Sequence, residues 1–360
     1  MEPKKKAITA AVVGTALGVG GLVVVAMPAS AGSAPKLPQV SAEELVQSVA
    51  AAKPAAFDGT VTVSNDLGLP AMANAMPGAG ALNVNSAHVY SDGAKNMKVA
   101  LTKGTAQETI VHTGNTVWDY NSQTNSATKT TIPADVATKH GMTDGKAADP
   151  ATAAKELLAK VRESSNVAVD GTATVADRPA YELVLTPKPT ERTLLREIRI
   201  AVDSQTRMPL RLSVLSNGTT APALELAFSQ IEFAPQPADL FAFTPPKGAK
   251  VTEKQAKVDD KTKALANEAQ ASTKFVGDGW DTVVTGKVPA DMLKAQPAQG
   301  ERKGMDPQKM LSRFGKRVSG TWGSGYLFTT KVGGAVLTDD GRFAAGAVPE
   351  QVLYEALGAK

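Results

Sequence analysis

From Arg178 to Pro246 apolar residues recur at every second position through several consecutive segments, and no other feature restricts the possible fold as strongly. Tyr181, Leu183 and Leu185 alternate with Glu182, Val184 and Thr186. Leu194, Ile198, Ile200 and Val202 share one parity, opposite Leu195, Glu197, Arg199 and Ala201. A period of two is the period of a strand. Asp203-Ser204-Gln205-Thr206 turns the chain, and Leu210, Leu212 and Val214 alternate back. Asn217-Gly218 is the dipeptide of a tight hairpin turn, whose two central residues need positive φ, and Leu224, Leu226 and Phe228 continue the pattern. Strands so closely spaced pair antiparallel, with one apolar face and one wet face. The apolar face needs a cover: core helices, a lipid, or both. Arg196 interrupts the apolar parity and is expected at the rim, or bonded to a covering segment.

The rest of the composition mainly excludes. A chain of 360 residues makes one large domain or two small ones, and 42% apolar with 21% charged residues is a globular balance. Half of the formal net charge of +4 comes from Lys4, Lys5 and Lys6 less Glu2, so the body is nearly neutral. No basic strip studded with aromatics points to nucleic acid. The absence of cysteine excludes disulfides, thiol catalysis and zinc–thiolate sites. His88, His112 and His140 lack ligand-like spacing, and Gly323-Ser324-Gly325 lacks the flanks of a nucleophile elbow. No catalytic grouping assembles from the titratable residues, so neither an enzyme nor a cofactor or metal site is expected.

Taken in order, the chain opens with an export signal. Lys4–Lys6 precede an uncharged stretch, 7–27, and Ala29-Ser30-Ala31 fits a cleavage site. The stretch also has the length to span a bilayer, so residues 1–31 are either a cleaved signal peptide or a retained anchor. In both cases the body is expected outside the cytoplasmic membrane, in the cell envelope.

Ser41-Ala42-Glu43-Glu44 is a capping box ahead of a helix stopped by Pro54, and Phe57-Asp58-Gly59-Thr60-Val61 begins the first strand. Leu69, Met72 and Met76 then lie in an uncharged segment that reads either as a buried loop or as an apolar flap at a cavity mouth. Strands follow over 87–92, 96–102, 109–113 and 116–120, then a polar stretch over 121–131. Trp118 and Tyr120 share one strand face, as core or as ligand lining. Asp149-Pro150 caps a second helix. After Pro246 the sequence turns charged and alanine-rich, a solvated helix or linker over 250–275, and 276–360 form a small strand-and-helix unit.

The capped early helix, the Phe-Asp-Gly-Thr-Val strand, the Ile198–Leu212 hairpin with Asp203, Met208 and Pro209, and the closing Phe241-Ala242-Phe243-Thr244-Pro245-Pro246 form an ordered set. Together they resemble the superfamily of the lipoprotein carrier LolA, its receptor LolB and the sigma-factor regulator RseB. The nearest likeness is to LolA-like envelope proteins of high-GC bacteria, whose tails resemble Val336-Leu337-Thr338-Asp339-Asp340-Gly341-Arg342.

The resemblance spans about 41–249 plus that tail. It implies an α+β fold: a curved, incompletely closed antiparallel sheet, a half-barrel, with helices on its concave side. A small C-terminal α/β extension would follow it. It further implies a lipid acyl chain or lipidated protein held in the concavity. An open half-barrel with an apolar inner face is a cavity awaiting a lid. Leu69, Met72, Met76, Trp118, Leu194, Ile198, Leu212, Leu226 and Phe228 are the candidate ligand-binding residues, and no family arginine is assigned to Arg196. The long C-terminal extension departs from the short carriers. It leaves a second implication open, a regulator or interaction protein of the envelope that senses lipids or binds an anti-sigma factor or kinase.

Overall fold

Ser41 holds the first helix at its N-terminus through a reciprocal capping box. Its hydroxyl accepts from the Glu44 amide at 3.2 Å, and the Glu44 carboxylate accepts from the Ser41 amide at 2.8 Å. The computed structural model describes residues 34–68, 86–103, 106–133, 150–255, 272–288 and 312–358. That helix, α1, is Ala42–Ala51; α2 is Pro150–Ser164 and α3 is Glu350–Gly358.

The strands of the first sheet are β1 Ala56–Asn65, β2 Ser86–Asp92, β3 Met97–Lys103, β4 Ala106–Thr113, β5 Thr116–Asn121 and β6 Ser126–Thr131. They continue with β7 Ser165–Val175, β8 Arg178–Pro187, β9 Leu195–Asp203, β10 Pro209–Ser216, β11 Leu224–Glu232 and β12 Lys250–Gln255. Hydrogen bonding orders them β12-β6-β5-β4-β3-β2-β1-β11-β10-β9-β8-β7. The sheet does not close, and β12 and β7 remain as its edges, the arrangement of an incomplete half-barrel. The C-terminal unit holds β13 Lys274–Val276, β14 Val283–Lys287, β15 Lys316–Gly320, β16 Gly323–Thr329, β17 Gly334–Thr338 and β18 Arg342–Gly346. These make a second, antiparallel sheet ordered β13-β14-β18-β17-β16-β15. Val352, Leu353, Ala356 and Leu357 of α3 pack there on Val283, Leu327, Val336 and Ala344.

Three segments behave differently from the sequence expectation, each for a local reason. Lys250–Gln255, expected to open a charged helix or linker, pairs parallel with β6 as an exposed edge strand. Its lysines suit an edge, because charged side chains discourage pairing with another chain. The polar stretch 121–131 contains β6, which keeps only Ala127 fully buried. Asn217-Gly218 does not make a two-residue hairpin turn. Only Gly218 has positive φ (78°), and the connection runs from Ser216 to Leu224. Asn217 is instead committed to the chain ahead of β9: its backbone amide donates to the Leu194 carbonyl at 2.9 Å and its side chain to the Thr193 carbonyl at 3.1 Å.

Candidate functional site

Cross-strand register assembles the apolar face. Leu183 pairs with Ile200, Ile200 with Leu212, Leu212 with Leu226 and Leu226 with Val63, one continuous rung across five strands. Leu185, Ile198, Val214 and Leu224 form the rung beside it. On the other flank Phe228 pairs with Val61, and its ring fills the place of a side chain on Gly59. A Cβ there would come within 2.8 Å of that ring.

The cover of this face is uneven. Ala42 and Leu45 of α1 seal the β8–β9 side, burying Tyr181, Leu183 and Val202. Phe57, Ala87, Val89 and Leu101 are buried on the β1–β3 side. Between these flanks Ile198, Leu212, Val214, Leu226 and Phe228 stay half-buried, leaving an apolar strip on β9, β10 and β11.

The strip is closed at one end. The C-terminal unit seats where β1 finishes and β11 starts, with Val332 packed among Val63, Leu67, Ala223 and Leu224. Polar contacts fix it there. The Lys331 amide donates to the Leu67 carbonyl at 2.8 Å, and the Lys331 ammonium to Asp66 at 2.5 Å. The Leu194 amide and the Thr193 hydroxyl both donate to the Ala347 carbonyl, at 2.9 and 2.7 Å. Trp280 donates from its indole to the Ser165 hydroxyl and from its backbone to Glu191, each at 2.7 Å.

The candidate residues therefore divide. Ile198, Leu212, Leu226 and Phe228 come together on the strip. Leu194 precedes β9 and lies at the junction between the sheets. Trp118 faces the other side: the register Trp118–Val111–Lys98–Tyr90–Asp58 puts it opposite the parity of Val61 and Val63. There Trp118 and Tyr120 sit against Phe243, at ring-centroid distances of 5.4 and 5.9 Å, and Lys129 lies over the indole. Leu69, Met72 and Met76 lie outside the described residues.

The wet face carries a feature that alternation alone does not show. A cavity of about 400 Å³ is lined by Glu182, Arg196, Glu197, Arg199, Arg211 and Glu225, among others. Arg199 donates to Glu197 at 2.9 Å and to Asp170 at 3.1 Å, and Arg211 donates to Glu182 at 2.7 Å. The Arg199 guanidinium holds the Glu197 carboxyl below its ordinary range against the opposing effect of burial. Arg196 reaches this cavity through a bulge: Leu215 pairs with Glu197 and Ser216 with Leu195, leaving Arg196 as the extra residue. A bulge re-aims its side chain, so the parity break in the sequence is a register break in the sheet. Arg196 then donates to the Thr219 carbonyl at 2.5 Å, inside the connection that borders the cavity.

His88 bridges Asp58 and Thr60 on the wet face and stacks on Tyr90 at 4.4 Å. No group of three or more metal-ligating side chains occurs among the described residues, and no helix among them is long and apolar enough to cross a membrane.

No family model and no curated protein matches the chain. Solved structures with some likeness include the Pseudomonas aeruginosa MucA/MucB complex, at 15% identity over 88% of this chain and 96% of that one, TM-score 0.41. The Mycobacterium tuberculosis lipoprotein LppX is 9% identical over 55% of this chain and 97% of its own, TM-score 0.32. A LolA superfamily protein from Nitrosomonas europaea is 13% identical over 56% and 98%, TM-score 0.23. At such identities and scores these likenesses say nothing of what this chain binds.

Proposed function

We propose that the protein is an exported, non-enzymatic binding protein that holds an acyl chain, of a lipid or of a lipidated protein, against the strip of Ile198, Leu212, Val214, Leu226 and Phe228. The observation that carries this reading is the uneven cover: flanks sealed, one end capped, and a row of aligned apolar side chains left half-buried between them. Burial gains about 0.8 kcal/mol per methylene, so a long chain outweighs its ordering cost where a short one does not.

Leu212→Asp and Leu226→Asp each place a carboxylate in the strip, and both are expected to abolish binding of a fluorescent acyl probe. Gln230→Asp, exposed on the opposite face, serves as the control and keeps it. Equal binding by all three variants would exclude the strip as the site.

A second reading draws on the wet face. The mixed-charge cavity around Arg199 and Glu182 suits a protein partner, as an envelope regulator would need. Arg211→Glu leaves the apolar strip intact. Under this reading it abolishes capture of an envelope protein by the full chain while acyl binding persists; unchanged capture excludes the cavity as the contact.

A further inference from the structure

The two ends of the apolar strip differ. One is closed by the C-terminal unit at Val63, Leu67 and Leu224. The other lies at the turn from β9 into β10, and that turn carries an arginine on the apolar side. Arg207 has its guanidinium carbon 5.3 Å from the centroid of the Tyr181 ring, and Tyr181 belongs to the apolar cluster beneath α1. The next residue, Met208, packs with Phe57 and Phe228.

Two observations set Arg207 apart. Its φ of 62° is in the left-handed region, strained for a residue with a side chain. Its Nη1 is buried and meets no hydrogen-bond acceptor among the described residues. The Tyr181 ring attracts the cation through its face but offers no lone pair to an in-plane N–H. The Asp203 carboxylate is already engaged by Arg178, Gln205 and Thr206. A buried donor left unpaired is unfavourable, and an anion at that nitrogen removes the defect.

We propose that Arg207 is the anion-binding group at the end of the strip opposite the C-terminal unit, and that the ligand is an amphiphile with an acyl chain and an acidic head group. The head is a carboxylate or a phosphate ester, either of which accepts from Nη1. This inference rests on the acyl-binding reading and narrows it. The dimensions agree. The eight residues of β10 span about 26 Å, more than the ~15 Å that one leaflet contributes to a bilayer's hydrocarbon core. A chain anchored at Arg207 thus runs past Leu212 and Leu226 toward the capped end.

The test uses the protein as it matures in the producing cell, stripped of lipid and loaded with a fluorescent acyl ester, an uncharged probe that does not depend on Arg207. Oleate is compared with methyl oleate as competitor, and phosphatidylglycerol with phosphatidylcholine; the pair that discriminates tells a free carboxylate from a phosphate head group. At least one acidic competitor is expected to act at about ten- to a hundredfold lower concentration than its partner. Arg207→Gln and Arg207→Gly remove that gap by weakening the acidic competitor alone. Glycine adopts the φ of this position without strain, so Arg207→Gly melts no lower than the parent and a folding defect cannot mimic the result. If neither acidic competitor outcompetes its partner, or the gap survives in both variants, the role of Arg207 is refuted while acyl binding stands. If the ester probe itself fails to bind the parent, the acyl-binding reading fails first.

Discussion

Asp203 is the residue on which the β9–β10 turn depends, and replacing it by alanine is the sharpest test of the fold. Its side chain is fully buried. One oxygen accepts from Arg178 Nε at 2.6 Å. The other accepts from Arg178 Nη2 at 3.1 Å, from the amides of Gln205 and Thr206 at 3.0 and 2.6 Å, and from the Thr206 hydroxyl at 2.9 Å. Removing one partner of a buried ion pair costs about 3–5 kcal/mol. Arg178 retains 23% side-chain exposure, so its stranded guanidinium is partly hydrated, and the lower end, about 3 kcal/mol, is expected. For a domain of this size that corresponds to a fall in melting temperature of about 6–12 °C.

Asp203→Asn keeps one oxygen for the turn donors but loses the charge and the acceptor for Arg178 Nε, so about half the effect is expected. Thermal melting followed by circular dichroism near neutral pH measures both, with urea midpoints at constant m-value as the check. A shift below about 2 °C for alanine, or equal shifts for alanine and asparagine, would refute the view that this carboxylate organises the turn.

Further expectations concern acid and the junction. Burial pushes the Asp203 carboxyl up, but Arg178 and the Thr206 and Gln205 donors outweigh it and leave it below the ordinary value. The Thr338 hydroxyl, with Arg342, brings Asp340 down to about 2 despite the opposing effect of burial. Carboxyls lowered on folding stabilise above the unfolded value, near pH 4, and the contribution is lost as pH falls through the folded value. The stability that these two carboxyls contribute is therefore full well above pH 4 and declines toward pH 2, and Asp340→Asn shallows the decline; an identical acid profile for that variant contradicts the assignment. Trp280→Phe strands the buried Ser165 hydroxyl, at a cost of about 1–3 kcal/mol, and is expected to speed proteolytic separation of the C-terminal unit. Unchanged cleavage would show that the indole bond does not hold the junction.

What the sequence discloses follows the range of the interactions. The capping box at Ser41 and Glu44 and the alternation of Tyr181–Leu185 and Ile198–Val202 are written in neighbouring residues, and the folded chain keeps them. The apolar rung of Ile200, Leu212 and Leu226 was likewise legible as a shared parity. β7 was not, because its alternation of Val167 and Val169 with exposed Asn166, Ala168 and Asp170 is short and breaks at the bulge before Thr172. Arg196 was visible as an anomaly, but only the register with Leu215 and Ser216 shows it displaced to the wet face. Trp118 groups with the ligand-facing residues in the sequence because its parity cannot be related to that of β11 without five successive strand pairings. Arg207 gave no signal at all: its left-handed φ, its ring partner and its unpaired nitrogen all arise from tertiary placement.

Native mass spectrometry of the protein isolated gently from the producing cell tests the central claim most directly. If the strip of Ile198, Leu212, Leu226 and Phe228 holds an acyl chain, the spectrum shows a protein population heavier by the mass of a lipid. That mass is released on activation and absent in Leu212→Asp. A parent protein that appears only at its bare mass, and that takes up no fatty acid or phospholipid at micromolar concentration, contradicts it.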